Sequence, residues 1–122
     1  MNTMDNTNER YVNLDYLREL ANGDMIFLSE MITVFISQTP DAVENMKLYL
    51  TAKDWKGLRA IAHKIKPSLA FMGIKELESV IAAIENYAET ETQLELLPAL
   101  VEKMDFVCRK VMEELETEKA KL

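Results

Sequence analysis

The sequence contains a single histidine, His63, and its surroundings point to nucleophilic chemistry. A neutral imidazole is a nucleophile near pH 7, because the ordinary pKa of histidine is about 6.5. Lys66 follows three residues later, so its ammonium group could stabilise negative charge attached to the ring. Between Lys53 and Lys66 there are five Lys or Arg residues and one acid, Asp54, although the whole chain has a net charge of −7. The pattern favours a nucleophile in a local basic patch.

The apolar residues around His63 predict the face of the helix on which it lies. They recur at spacings of three and four, which is typical of one amphipathic helix: Leu58, Ile61, Ala62, Ile65, Leu69 and Met72. At about 100° per residue, His63 lies roughly 150° from the centre of this stripe. We therefore expect it to face water rather than the core, among Lys56, Arg59, Ala60, Lys66, Pro67 and Ala70.

Two helices are predicted before the helix that carries His63. Asn13 can cap a short helix from Leu14 to about Ala21. A second helix begins after Asp24 and runs to about Thr51, and Pro40 makes it either one bent helix or two helices in line. Its buried side is predicted to consist of Ile26, Phe27, Met31, Val34, Phe35, Val43, Met46, Leu48 and Leu50.

Two further helices are predicted after Gly73. One runs from about Lys75 to Ala88, and a capping box at Thr92–Glu95 precedes a long last helix that starts near Pro98 and frays from Glu116 onward. No segment has the pattern of a strand. The expected fold is therefore all-α, an antiparallel four-helix bundle with a short N-terminal helix packed on it.

The length and the apolar pattern predict how the chain is organised: a flexible tail over residues 1–12 and one bundle domain over residues 13–119. The acidic balance argues against nucleic acid and anionic membranes as partners. One cysteine, Cys108, permits no internal disulfide, and it is expected in the core. The polar N-terminus has no signal-peptide core, so we expect a cytoplasmic protein, and the polar tail after Met1 favours a free-standing one. A bundle with its apolar stripes buried should be monomeric, and the alternative is a dimer through the first two helices.

The motif around His63 resembles the signature of histidine-containing phosphotransfer (HPt) domains. The matching pattern is Ala62-His63-x-x-Lys66-x-Ser68-x-x-x-x-Gly73. The likeness extends to Asn13–Asp24, to Asp54-Trp55 and to Gly73-x-x-x-Leu77, and it covers roughly residues 13–115.

This resemblance implies a phosphorelay carrier. His63 would accept a phosphoryl group through Nε2 from the aspartate of a receiver domain and pass it to another receiver. Lys66 would stabilise the phosphoryl charge, and Arg59 and Lys64 would steer an acidic receiver pocket. The implied partners are receiver domains of response regulators and hybrid histidine kinases. No cofactor is expected on this chain, which would be no enzyme, and Mg²⁺ would belong to the receiver.

Two positions near the motif have alternative interpretations. Pro67 stands where the family usually has glycine, and it should bend or open the helix at His63. That bend is either a tolerated kink or a feature that tunes which receiver docks. Glu85 either accepts a hydrogen bond from Nδ1–H of His63 or is a solvated residue on its own helix.

The apolar residues beside the motif leave a similar choice. Ala70 and Phe71 flank it as candidate partner contacts. Met25, Leu28 and Ile32 of the second helix are either exposed for docking or part of the core. For the whole protein, the alternative function is a helical adaptor that binds a receiver or kinase without being phosphorylated. A metal-dependent enzyme is disfavoured, because the sequence has no second histidine to complete a ligand pair.

Overall fold

The computed structural model describes residues 10–122, and within them it contains helices and no strand. Five α-helices follow one another along the chain: α1 (Asp15–Ala21), α2 (Met25–Ala52), α3 (Trp55–Phe71), α4 (Glu78–Thr90) and α5 (Leu97–Ala120). Single turns of 3₁₀-helix, Lys75–Leu77 and Leu94–Leu96, precede α4 and α5. Helix α3 packs between α2 and α4, α5 packs against the other sides of both, and α1 packs on α2. This confirms the predicted all-α bundle with a short N-terminal helix.

The stripe predicted for α3 is confirmed as its buried face. Leu58, Ala62, Ile65 and Leu69 are buried, and Ile61 is partly buried at the edge. On α5, Cys108 is buried as predicted, and burial raises the pKa of its thiol to about 12. Each large apolar side chain removed from water stabilises the fold by about 1.5–3 kcal/mol, so these stripes hold the helices in place.

Helix α2 is one continuous helix that includes Pro40, which decides between the two predicted alternatives. Its predicted buried side was wrong at Ile26, Val34 and Leu48, which are exposed. The buried residues instead recur at spacings of four, three and one: Leu28, Ile32, Phe35, Thr39, Ala42, Val43 and Met46. Because apolar residues occur on more than one side of this helix, spacing alone did not identify the side that meets the core.

The helix starts agree with the predicted caps at Asp24 and Asp54 and differ at Asn13 and before α5. The N-cap residue of α1 is Leu14, without a side-chain cap, and Asn13 Oδ1 accepts a hydrogen bond from the N–H of Asp15 at 2.9 Å. Asp24 and Asp54 accept hydrogen bonds from the backbone N–H groups of residues 27 and 57, at 2.9 and 3.0 Å. The predicted capping box before α5 was wrong. Gln93 has a positive φ there, and the Thr92 hydroxyl pairs with that of Thr90 instead. The 3₁₀ turn that follows Gln93 therefore has no side-chain cap.

Residues 10–12 pack against α5 and are not a tail in this structure. The N–H groups of Tyr11 and Val12 both donate to the carboxylate of Glu114, at 2.9 to 3.1 Å. Arg10 and Arg18 form salt bridges with Glu118, which is buried. These contacts also keep α5 helical through Ala120, so the fraying predicted from residue 116 was wrong. Residues 1–9 of the predicted tail lie outside the described part of the chain.

Replacing Glu114 by alanine should destabilise the fold by about 1–3 kcal/mol, because two backbone donors lose their acceptor. Urea unfolding at neutral pH measures the change. Glu116→Ala is the matched control, because Glu116 is exposed on the same helix and its replacement removes the same charge. Equal effects of the two substitutions would show that the hydrogen bonds from Tyr11 and Val12 to Glu114 contribute nothing to stability.

None of the helices in residues 10–122 is both long enough and apolar enough to cross a membrane.

Candidate functional site

Helix α3 presents His63 on the outside of the bundle. Asp54 fixes the start of the helix, and its apolar stripe turns toward α2 and α4. The side chain of His63 is 65% exposed, which confirms the prediction that the ring faces water. The imidazole is therefore accessible to a macromolecular partner.

Helix α4 places a carboxylate between His63 and Lys66. Oε2 of Glu85 lies 2.7 Å from Nδ1 of His63, and Oε1 lies 2.6 Å from Nζ of Lys66. Only 13% of the Glu85 side chain is exposed, so this residue is not the solvated glutamate of the second interpretation. The geometry matches the first interpretation, in which Glu85 accepts a hydrogen bond from the ring.

The contact with Glu85 determines the tautomer of a neutral His63. An ionised carboxylate has no proton to donate, so Nδ1 must carry the hydrogen of this bond. In the neutral ring Nε2 then has the lone pair, and it is the nitrogen not bonded to Glu85. The site therefore presents a nucleophilic nitrogen on the exposed face of α3.

The charge of Glu85 is stabilised by its two neighbours on α3. The hydrogen bond from Lys66 is the main reason that the pKa of Glu85 lies below its ordinary value, and the bond from His63 adds to it. Burial acts in the opposite direction, since it disfavours the charged form. Glu85 is thus an anion at neutral pH.

Sequence comparison identifies the family of this chain. The sequence model of the Hpt domain matches residues 30–118, which include all of α3 and α4. The chain belongs to the Hpt domain family. Hpt domains carry phosphoryl groups on histidine in phosphorelays, and they are carriers rather than kinases.

A solved structure agrees with this assignment. The Hpt domain described here superimposes on histidine-containing phosphotransfer protein B (HptB) from Pseudomonas aeruginosa PAO1 with a TM-score of 0.83. The match covers 92% of this chain and 96% of that one, at 21% sequence identity. At this identity the likeness concerns the fold. A search of curated proteins gave no significant match.

The other predicted site residues of this Hpt domain lie on two flanks of α3. Arg59 is on the α4 side, where its Nε is 3.7 Å from a carboxylate oxygen of Glu89. Lys64 is on the α2 side, where it lines a groove of about 520 Å³ between α2 and α3 together with Phe71. These two cations are therefore on opposite sides of His63.

Pro67 does not interrupt the helix of this Hpt domain. Pro67 and Ala70 are both exposed, and α3 continues through them to Phe71. The predicted opening of the helix at His63 was therefore wrong. The pyrrolidine ring lies on the outer face, where it displaces no core side chain, and the buried stripe before and after it holds the helix together.

The sequence did not reveal an aromatic pair beside the motif. Tyr16 of α1 stacks on Phe71, with ring centroids 5.9 Å apart and planes 21° apart. Both rings remain partly exposed. The two residues are far apart in sequence, and no local pattern links them. On α2, Leu28 and Ile32 are fully buried and belong to the core, whereas Met25 is exposed.

Stability should depend on the ionisation of Glu85. Because the pKa of Glu85 is lower in the folded state, its contribution is fully present above the ordinary value of 4.5 and is lost as the pH falls through the lower folded value. Glu85→Gln should therefore be less stable than wild type at pH 7, and the difference should shrink toward pH 3. Urea unfolding at several pH values measures this, and a difference independent of pH would contradict it.

Proposed function

We propose that this Hpt domain is a phosphorelay carrier whose phosphoryl-accepting residue is His63. The observation that carries the proposal is the hydrogen bond between Nδ1 of His63 and the mostly buried Glu85, which leaves the lone pair of the neutral ring on Nε2, the nitrogen available to a partner. A nucleophile held in one tautomer and one orientation reacts without first reorganising, and this lowers the barrier to transfer.

The transfer follows from this arrangement. Nε2 attacks the phosphorus of an aspartyl phosphate on a receiver domain, and the bond between phosphorus and the aspartate oxygen breaks. The electron pair of that bond returns to the receiver as a carboxylate. The ring then carries the phosphoryl group on Nε2 and the proton on Nδ1, where Glu85 stabilises the positive charge. Lys66 lies one turn along α3 and adds positive charge near the phosphoryl oxygens.

The flanks of α3 fit an acidic partner with an apolar rim. Arg59 and Lys64 place positive charge on either side of His63, and they attract the carboxylates that surround a receiver's aspartate. Phe71 and Ala70 supply exposed apolar contacts about two turns beyond the histidine. The partners are receiver domains of response regulators and hybrid histidine kinases, and the receiver contributes the Mg²⁺.

A transfer assay tests the proposed function. Receiver domains are phosphorylated with acetyl phosphate in the presence of Mg²⁺. The excess acetyl phosphate is removed, and the phosphorylated receivers are mixed with the protein. The expected result is transfer of the phosphoryl group to this chain in a linkage that is labile in acid and stable in base. Receivers that bind the protein without passing on phosphate would contradict the carrier function and favour the adaptor.

A further inference from the structure

An aromatic pair joins α1 to the end of α3, beside the groove between α2 and α3. The ring of Tyr16 stacks on that of Phe71, with centroids 5.9 Å apart and planes 21° apart. Aromatic rings at this separation attract each other beyond the effect of the area that they bury. Phe71 also lines the groove, together with Lys64. One ring therefore belongs both to the stack and to the wall of the groove.

The place of Phe71 in α3 leaves its ring free to turn unless a neighbour holds it. Phe71 is the last residue of the helix, and it is 37% exposed. A side chain with this exposure at a helix end has more than one rotamer open to it, and fixing it in one of them costs conformational entropy. The stack on Tyr16 restricts the Phe71 ring to one rotamer.

Helix α1 is held in place on both sides of Tyr16. Before it, the N–H of Asn13 donates to the carbonyl oxygen of Met72 at 3.0 Å. After it, Arg18 forms a salt bridge of 3.2 Å with the carboxylate of Glu118. The exposed ring of Tyr16 is thus carried by a backbone that is held against the end of α3 and against α5.

The groove lies next to the nucleophile, and this decides which partner it fits. Lys64 directly follows His63 in α3 and lines the groove, and Phe71 lines it two turns farther along the helix. A receiver domain whose aspartyl phosphate reaches Nε2 of His63 therefore comes to lie beside the groove. The exposed ring of Phe71 offers that receiver an apolar contact, and Lys64 offers it a positive charge.

We propose that Tyr16 is a positioning residue for receiver docking: its ring holds that of Phe71 in the wall of the α2–α3 groove before a receiver arrives. This role of Tyr16 rests on the proposed function, in which the partner is a receiver domain, and it adds a residue of α1 to the docking surface. A Phe71 ring that is already in place need not be immobilised on binding, and this raises the affinity. Tyr16 acts through Phe71 and requires no contact of its own with the receiver.

The first measurement follows the Phe71 ring in the protein alone. Three-bond NMR couplings about the Cα–Cβ bond report whether a side chain occupies one rotamer or exchanges between several. Wild type and Tyr16→Phe, which keeps a stacking ring, should show the couplings of one rotamer at Phe71, whereas Tyr16→Ala should show averaged couplings. Leu20→Ala is the matched control, because Leu20 lies one turn later on the same helix and is 48% exposed, close to the 52% of Tyr16. It should leave Phe71 in one rotamer.

The second measurement is the affinity for a receiver domain. Unphosphorylated receivers are titrated against wild type and the same three variants, and calorimetry gives the Kd. Tyr16→Ala should raise the Kd by about twofold to tenfold, because the Phe71 ring must now be immobilised on binding. Tyr16→Phe and Leu20→Ala should stay close to wild type. Tyr16 and Leu20 are about half exposed, so their replacement leaves the buried core intact, and urea unfolding checks this.

A double-variant cycle shows whether Tyr16 acts through Phe71 or on the receiver itself. In the background of Phe71→Ala, the change Tyr16→Ala should have no further effect on the Kd, because the ring that Tyr16 positions is absent. The proposal is overturned if Tyr16→Ala raises the Kd by the same factor in both backgrounds, because Tyr16 then contacts the receiver directly. It is also overturned if Tyr16→Phe or Leu20→Ala raises the Kd as much as Tyr16→Ala. Wild-type couplings at Phe71 or a wild-type Kd in Tyr16→Ala overturn it as well.

Transfer kinetics distinguish a failure of this role from a failure of the proposed function. With a phosphorylated receiver that transfers to wild type, Tyr16→Ala should raise the half-saturating receiver concentration by the same factor as the Kd, and the maximal rate should change little. If receivers bind but none transfers, the carrier function fails, and the Kd values still decide the role of Tyr16. If no receiver binds wild type, the proposed function fails and this role fails with it. Transfer to wild type combined with an unchanged Kd in Tyr16→Ala overturns this role alone.

Discussion

Replacing His63 by glutamine should abolish phosphoryl uptake while the fold remains intact. Glutamine has no nucleophilic nitrogen, because its amide lone pair is delocalised into the carbonyl group. The loss should reach the assay background, about a thousandfold or more, as for other removed nucleophiles. Stability should change by less than about 0.5 kcal/mol, since the side chain is 65% exposed and glutamine can still donate a hydrogen bond to Glu85. Transfer from a phosphorylated receiver measures the phosphoryl uptake, and urea unfolding measures the free energy of unfolding.

Two comparisons make this prediction specific to His63. Lys56→Gln alters the same exposed face of α3 without touching the histidine, and it should retain phosphoryl uptake. The His63→Gln variant should still bind the unphosphorylated receiver, because the flanking residues of α3 are unchanged. Label that remains on His63→Gln would place the phosphoryl group on another residue and refute the assignment.

The orientation of His63 was predictable because α3 has one clean apolar stripe. Six apolar positions at spacings of three and four define a single buried side, and the only histidine lies nearly opposite to it. The helix start was equally local, since Asp54 caps a backbone group three residues away. The buried side of a helix with one apolar stripe was therefore available from the sequence, whereas that of α2, which has apolar residues on more than one side, was not.

The arrangement of Glu85 was open from the sequence because it depends on the packing of two helices. Glu85 follows Lys66 by 19 residues and His63 by 22, and its contacts arise only when α4 packs along α3. A glutamate at that position is compatible with a solvated side chain as well. The same reason explains why the contacts of residues 10–12 were missed, since Glu114 lies more than 100 residues away.

The two prolines inside helices show how tertiary packing modifies a local rule. Pro40 and Pro67 each remove one backbone donor. The sequence predicted either one bent helix or two helices in line at Pro40, and a bend or an opening at Pro67. Both are exposed in the structure, while Thr39 and Leu69 nearby are buried. Burial of the inner face on both sides of the proline outweighs the loss of one hydrogen bond on the outer face.

Replacing Gly73 by alanine should destabilise the protein by about 1.5–3.5 kcal/mol. Gly73 has a φ of +65°, in the left-handed region, where a side chain costs about 1–2 kcal/mol. A Cβ there would also approach the backbone oxygen of Asn13 more closely than van der Waals radii allow. Relief of that clash requires the segment to move, and the bond from the Asn13 N–H to the Met72 carbonyl, now 3.0 Å, would be lost at about 0.5–1.5 kcal/mol.

Gly23→Ala separates the two causes of that loss. Gly23 also has a positive φ, +88°, but a Cβ at this position would meet no atom within 4 Å. This control should cost only the backbone strain, about 1–2 kcal/mol, and urea unfolding should show Gly73→Ala to be clearly less stable. Equal losses of stability would mean that the segment before α1 moves away from the added Cβ without lowering the free energy of unfolding. A larger loss at Gly73 would show that the close contact between Asn13 and the end of α3 contributes to the stability of the fold.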